Sequence, residues 1–315
     1  MNYSSFCDYL FAALMNQLKS ETTITKEMIR KNNNVFLEAF IIRLPGADSA
    51  PVVYLDPLYQ SYKNGSSIDK IATMVIARLE AEVPLSKELA KNSHSLDAVR
   101  EKIAFRLISK KETEAMLADV PWIPFLDLAV IFFLYLGRRE DTQITSVIHN
   151  HQAQAWKLSP EDLYELAKVN TPRLCPSTVG RLEHLVLGWN DEEDRLTPCE
   201  PLLPTLFVLS NQSGINGASC LLYPDVIKDF AEHLGSDLII LPSSIHEVLI
   251  LADDHTQNYE RYRDMVRNVN EEEVDKEDQL SNELYLYRRN SRTGIIRWTP
   301  CGDSDNAGTC GTESL

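Results

Sequence analysis

The sequence predicts an α+β fold in which successive β-hairpin and helix units build an antiparallel or mixed sheet, with the helices packed on it. Short apolar strands occur in pairs around turn residues, as at 238–241 and 247–251. Apolar residues at helical spacing follow such pairs, as at 257–270. Hydrophobic residues make up 44% of the 315 residues, so a sizeable core can be buried.

The first half of the chain is expected to alternate helices and strands. An opening helix is predicted by apolar residues at fourfold spacing, namely Phe6, Leu10, Leu14 and Leu18. Apolar segments at 35–43 and 52–55 flank turn residues and predict a hairpin, and Ser67 can cap the helix that follows. The later elements are predicted in this order: a strand at 103–108, a short charged helix at 111–117, a strand or helix at 126–136 with a central strand favoured, a strand at 143–149, and a helix opened by Ser159 and Pro160.

The second half of the chain shows clearer patterns of secondary structure. Strands are predicted at 206–209 and 218–223, and Pro224 opens a helix that Gly235 ends. The remaining segments are predicted as a hairpin at 238–251, a helix at 257–270, and a hairpin at 284–298.

A stretch rich in proline separates the two halves. Five prolines and the charged run 191–195 predict a connector that contains one short helix near 179–187. The predicted organisation is an N-terminal α+β half at 1–170, the connector at 171–204, a C-terminal α+β half at 205–300, and a disordered polar tail at 301–315. Whether hairpins from the two halves join one sheet stays open.

Charge and cysteine content limit the classes of partner and the compartment. Lys and Arg total 31 against 46 Asp and Glu, and the net charge of −15 argues against nucleic acid and anionic membranes as partners. The apolar run 125–136 is too short to span a bilayer and contains Asp127. The six cysteines are scattered without a C-x-x-C pair, and no secretory signal is recognisable at 1–20. These features predict a soluble, cytoplasmic protein.

Several ordered segments resemble an uncharacterised bacterial family known only as a domain of unknown function. They are Asn170-Thr171-Pro172-Arg173-Leu174, Leu222-Tyr223-Pro224, Leu234-Gly235-Ser236-Asp237, and Leu241-Pro242-Ser243-Ser244-Ile245-His246-Glu247-Val248. The similarity extends over 150–287. It implies no activity, cofactor or catalytic residue.

His246-Glu247 is the sharpest candidate for chemistry. A zinc-protease helix needs a second histidine three residues after the glutamate, and the sequence continues Val248-Leu249-Ile250 instead. The residues are therefore expected to satisfy main-chain groups of the turn that begins at Pro242.

Other candidates are weaker. His149 and His151 would share one face of a strand and could share a metal, but a third ligand is lacking. A Cys220–His246 pair could form a nucleophile and base, yet Cys220 lies in an apolar segment and is expected to be an inert core thiol. The acidic run 271–278 lacks the spacing of a calcium loop and is expected to be a solvated helix end. Asn170 is expected to cap the C-terminus of the helix before it.

The leading hypothesis is a non-enzymatic binding or interaction protein whose partner is a protein or a small molecule. Its predicted binding surface comprises Asn170, Arg173, Ser243, Ser244, His246 and Glu247. No cofactor or metal is expected. The alternative is a hydrolase-like or metal-dependent enzyme that uses His246 and Glu247, with Cys220 as a further candidate.

Overall fold

A computed structural model describes residues 1–45, 50–92, 95–139, 142–183, 205–253, 255, 258–291 and 294–299. Contacts divide the chain into two units, Met1–Val99 and Arg100–Leu315. Within the described residues the strands form three sheets, and all of the pairs are antiparallel. The predicted α+β class is confirmed, with separate sheets in place of a continuous one. No helix among the residues described is long and apolar enough to cross a membrane.

The first unit packs helices on a three-stranded sheet of order β1-β2-β3. Its elements are α1 (Tyr3–Gln17), β1 (Thr23–Arg30), β2 (Phe36–Arg43), β3 (Val52–Tyr54), α2 (Leu55–Lys63), α3 (Ile68–Asn92) and α4 (Leu96–Val99). The apolar side chains predicted on α1 and α3 meet β2 in one core, which includes Phe6, Leu10, Leu14, Phe40, Ile42, Ile71, Val75 and Leu79. The hairpin of β2 and β3 is confirmed. β1 was not predicted, because its charged residues mask the alternation of apolar and polar side chains.

The second unit begins with a four-stranded sheet centred on one long strand. Its elements are β4 (Ile103–Ser109), α5 (Glu114–Leu117), β5 (Trp122–Phe125), β6 (Leu128–Arg139), β7 (Thr142–Val147), α6 (Asn150–Trp156) and α7 (Pro160–Leu174). β4 pairs along one side of β6, while β5 and β7 share the other side. The register shifts between Tyr135 and Gly137, where Gly137 has a φ of 133°. Such a bulge lets β6 turn from β5 to β7.

A six-stranded sheet completes the second unit, in the order β13-β12-β10-β11-β9-β8. Its elements are β8 (Ser177–Arg181), β9 (Phe207–Asn211), α8 (Val226–Leu234), β10 (Asp237–Leu241), β11 (Val248–Asp253), α9 (Tyr259–Glu272), β12 (Tyr285–Tyr287) and β13 (Ile295–Arg297). The two hairpins predicted at 238–251 and 284–298 are confirmed. Their buried side chains pack against Tyr262 and Val266 of α9.

Three local predictions are wrong. The segment predicted as a strand at 218–223 is a 3₁₀ helix, Gly217–Leu222, with Ala218, Ser219 and Cys220 buried. Residues 179–181, expected to begin a short helix, belong to β8, whose β-branched Thr178 and Val179 suit a strand. Asn170 does not cap a helix end, since α7 continues to Leu174. Pro172 lies in the last turn of α7, where it removes one main-chain donor two residues before the helix ends.

The division expected at the proline-rich stretch is only partly visible, because 184–204 lie outside the described residues, as do 300–315. The described part of the stretch completes α7 and forms β8, which pairs with β9. The contact division between Val99 and Arg100 lies far upstream of it.

The outer side of β4 is closed by side chains in place of another strand. Asn170 donates from Nδ2 to the carbonyl of Ile103 at 3.0 Å, and the amide of Phe105 donates to Thr171 Oγ1 at 3.1 Å. The amide of Leu107 donates to Ser219 Oγ at 3.2 Å. Because alternate residues of a strand point their main-chain groups to the same side, these bonds satisfy that edge in a buried setting.

A long-range contact ties the two sheets of the second unit together. Asp127, in the turn between β5 and β6, accepts hydrogen bonds from the hydroxyls of Ser281 and Tyr285, both at 2.7 Å. Tyr285 is fully buried, and burial together with the Asp127 carboxylate raises its pKa well above 10. The phenol therefore stays protonated and acts as a donor.

We expect Thr171→Val to lower the free energy of unfolding by about 1–3 kcal/mol, because the buried amide of Phe105 loses its acceptor. Urea unfolding measures the change. Thr73→Val is the matched control, since Thr73 makes the same bond to the carbonyl four residues earlier but is exposed. That variant should stay within about 0.5 kcal/mol of wild type. Equal losses in the two variants would contradict the role given to Thr171.

Candidate functional site

The loop at 242–247 joins β10 to β11 and is held by main-chain bonds on two sides. On one side, the amide of Leu280 donates to the carbonyl of Ser243 at 2.9 Å, and that of Ser281 to Pro242 at 3.0 Å. On the other side, the amide of Ala218 donates to the carbonyl of Ile245 at 3.1 Å. The loop is therefore a fixed part of the fold.

Side chains of the loop and its neighbours complete this arrangement. Ser244 Oγ accepts from the amide of His246 at 2.9 Å, and the hydroxyl of Ser210 donates to the carbonyl of His246 at 2.8 Å. Gly217 lies against both Ser210 and His246, so a Cβ there would collide with the Ser210 hydroxyl and with the main chain. This close approach explains the glycine in the Asn216-Gly217 pair.

Both imidazole nitrogens of His246 have partners. Nδ1 accepts from the amide of Asn216 at 3.3 Å, and Nε2 lies 3.3 Å from Asp278 Oδ1. The hydrogen bond to Asp278 is the main cause of a raised pKa for His246, which burial partly offsets. The ring joins the loop to two other segments, and it bonds these segments instead of main-chain groups of its own turn as predicted.

The predicted surface residues differ in their exposure. Ser243 and Ser244 are buried, with 8% and 4% of their surfaces exposed, whereas His246 and Glu247 are half-buried. Asn170 is buried and donates to the carbonyls of Arg100 and Ile103. Arg173 is exposed, and its guanidinium donates to the carbonyl of Glu101 at 2.8 Å.

The structure thus places these residues in two groups. Asn170 and Arg173 belong to the C-terminal part of α7. Their side chains bond the main chain of 100–103 at the start of β4. Ser243, Ser244, His246 and Glu247 lie in the loop between β10 and β11. Their accessible members are Arg173 in the first group and His246 with Glu247 in the second.

Cys220 does not have the environment of a nucleophile. It is fully buried in the 3₁₀ helix, and its thiol donates to the carbonyl of Ser210 at 3.2 Å. Burial raises the pKa of this thiol to about 12, so the thiolate is scarce at neutral pH. His246 has its ring committed to Asn216 and Asp278, and the enzymatic alternative is not favoured.

His149 and His151 do not share a strand face as predicted. β7 ends at Val147, His149 is the N-cap of α6, and His151 lies within that helix. Their rings stack with centroids 5.7 Å apart. Among the residues that the structure describes, no group of three or more His, Cys, Asp or Glu side chains could hold a metal ion.

The acidic run 271–278 begins at the exposed end of α9, and its last member, Asp278, is the partner of His246.

A cluster that the sequence analysis missed lies at the opposite end of β10 and β11 from this loop. We call Asp237, Asp253, His255, Tyr259 and Arg288 the sheet-end cluster. Asp237 and Asp253 face each other across the two strands, and Arg288 NH1 bonds Oδ2 of both. Tyr259 donates to Asp253 Oδ2 at 2.7 Å and accepts from Arg288 NH2 at 3.1 Å. No spacing rule connects these residues, since they come from four separate segments.

The sheet-end cluster is an ion network in which one guanidinium lies between two carboxylates. The Asp253 side chain is 0% exposed, and two carboxylates placed opposite each other repel unless a cation lies between them. Arg288 fills that place, at 3.3 Å from Asp237 Oδ2. His255 is exposed, has a φ of 64°, and places Nε2 at 3.5 Å from the same Asp237 oxygen. This geometry indicates that the cluster stabilises the ends of β10, β11 and β12 against one another.

Comparison with protein-family models gives one match over almost the whole of this architecture. Residues 3–289 match a model described as a family of unknown function (DUF5688). The chain belongs to this family. No curated protein and no solved structure matches the chain significantly. The matched region covers most of both units, including the 242–247 loop and the sheet-end cluster, and it confirms the predicted membership of an uncharacterised family.

We expect the pKa of His246 to lie above the ordinary value of 6.5 and to fall in Asp278→Asn, because the hydrogen bond to the Asp278 carboxylate favours the protonated ring. NMR titration of the imidazole protons of His246 in the wild type and the variant measures both values. A raised folded-state pKa means that this contribution to stability is complete below pH 6.5 and is lost as pH rises through the folded value. An unchanged His246 pKa in Asp278→Asn would contradict the pairing.

We expect Arg288→Met to lower the free energy of unfolding by about 3 kcal/mol, because Asp253 would stay buried without a cation. Chemical denaturation at pH 7 measures the loss. Arg267→Met is the control, since the Arg267–Asp264 pair is exposed and its atoms are 4.0 Å apart. Its effect should be at most about 1 kcal/mol. A stable Arg288→Met protein would show that the network is dispensable.

Proposed function

We propose that the protein is a non-enzymatic binding protein, and that its contact surface is the rim formed by His246 and Glu247. The proposal rests on the rigid main chain of the loop at 242–247 and the accessibility of its last two side chains. Its main chain is fixed on both sides, while these two side chains remain half-exposed. A pre-organised loop binds without the entropic cost of ordering.

The charge of the rim favours a basic partner. Glu247 and Asp278 both carry carboxylates beside His246, and the whole chain has a net charge of −15. Such a field attracts positively charged surfaces and repels phosphates. We therefore propose a protein with a basic patch as the partner, in preference to a small molecule.

The contacts of His246 support binding over catalysis. A general base needs a ring nitrogen directed at substrate, and both nitrogens of His246 are engaged within the protein. The thiol of Cys220 is protonated and buried. Arg173 is proposed as a second contact point, because it is exposed at the C-terminal end of α7.

We infer that the protein works in the cytoplasm of a bacterial cell. Cys7, Cys175 and Cys220 are free and buried, which suits a reducing compartment. The bacterial setting follows the family resemblance of the motif segments.

The test compares proteins that co-purify with the wild-type chain and with Glu247→Lys. The charge reversal should abolish enrichment of the specific partner, and the purified pair should bind at least about tenfold more weakly at low salt. Glu112→Lys is the matched control, because Glu112 is also half-buried but lies between β4 and α5. It should retain the partner.

Two outcomes would overturn the proposal. One is recovery of the same proteins by Glu247→Lys and wild type. The other is hydrolysis of ester, phosphate or peptide substrates that disappears in His246→Asn, since that result requires the ring to act on substrate.

A further inference from the structure

Arg106 occupies an unusual position for a cation. It lies in the middle of β4, directly opposite Ile131 of β6. Side chains two residues apart on a strand share a face, so Arg106 shares its face with Ile108. Ile108 and Ile131 belong to an apolar cluster with Leu117, Val120 and Ala129.

The guanidinium of Arg106 has no anionic partner among the residues described. Its Nε is buried and has no hydrogen-bond partner. The ring of Phe133 lies 6.0 Å from the guanidinium carbon. Burial alone lowers the pKa of Arg106 to about 10, with no carboxylate acting against that effect. The residue as a whole is half-buried, so part of it stays accessible.

Arg288, another half-buried arginine of the same unit, has a different environment. Arg288 bonds two carboxylates and a phenol. A buried charge without such partners costs several kcal/mol, which proteins avoid by pairing or by binding a counter-ion. Arg106 is desolvated like a buried ion but has no carboxylate partner. A bound anion would supply that partner and offset the unfavourable free energy of desolvation.

We propose that Arg106 is the anchor of a binding site for a small anion whose charged group is a carboxylate or a phosphate. A guanidinium presents parallel N–H donors that match both groups. The Phe133 ring supplies an apolar wall. Trp122 lies in the same cross-sheet row, opposite Ile131, and carries the Lys110 ammonium 5.4 Å from its ring centroid. The proposed site uses neither of the rim residues His246 and Glu247, and it goes beyond the proposed protein contact.

The experiment titrates the full chain with inorganic phosphate and, separately, with benzoate, at constant ionic strength. Isothermal calorimetry measures the affinity, and a [¹⁵N]arginine NMR spectrum follows the Arg106 Nε–H signal. We expect saturable 1:1 binding of one of the two anions with a shift of that signal. Arg106→Met should weaken this binding at least about tenfold. The anion that binds distinguishes a phosphate ligand from a carboxylate ligand.

Arg100→Met is the matched control, since Arg100 is exposed just before β4, and it should bind the anion as wild type does. The NMR measurement on wild type keeps the test decisive if Arg106→Met fails to fold. The proposal is overturned if neither anion moves the Arg106 signal, or if Arg106→Met and wild type bind equally. Either result leaves the partner test at Glu247 unaffected.

Discussion

The unit from Arg100 onward depends on hydrogen bonds that side chains make to the outer edge of β4. Thr171 and Asn170 bring α7 to this edge, and Ser219 brings the 3₁₀ helix Gly217–Leu222. The same 3₁₀ helix contacts β9 through the thiol of Cys220 and the 242–247 loop through the amide of Ala218. A single strand edge therefore links the four-stranded sheet to the six-stranded sheet. Loss of one acceptor there leaves a buried amide unpaired, which costs more than an exposed hydrogen bond is worth.

This arrangement explains why several polar side chains near β4 and the 242–247 loop lack a free functional group. Asn170, Thr171 and Ser219 satisfy an edge that would otherwise be open to another chain. Ser244 and Gly217 allow two main-chain segments to approach closely. Chemistry-bearing side chains in a motif are thus compatible with a purely structural role, and the half-exposed residues beside them become the better candidates for binding.

The sequence predicted most elements whose apolar periodicity is strong, such as α1, β10 and α9. It failed where tertiary contacts override local preference. Residues 218–222 have the composition of a strand but form a 3₁₀ helix, since the Asn216-Gly217 turn lets the chain pass between β9 and the 242–247 loop. The ring of His246 was expected to bond main-chain groups of its own turn, but its partners are Asn216 and Asp278, which lie 30 and 32 residues away and have no local signature. The sheet-end cluster and the unpaired Arg106 depend on long-range packing in the same way.

The position of Asp127 has a consequence for biosynthesis. Its carboxylate receives its two hydroxyl donors from Ser281 and Tyr285, which are made more than 150 residues later, as the separations of 154 and 158 show. The hairpin of β5 and β6 therefore leaves the ribosome with an unfinished turn, and the missing donors arrive near the end of translation. Long-range closure of this kind slows folding and prolongs the lifetime of incomplete species. A chain truncated before Ser281 would contain every strand of the four-stranded sheet. The turn at Asp127 between β5 and β6 would still lack both of its hydrogen-bond donors.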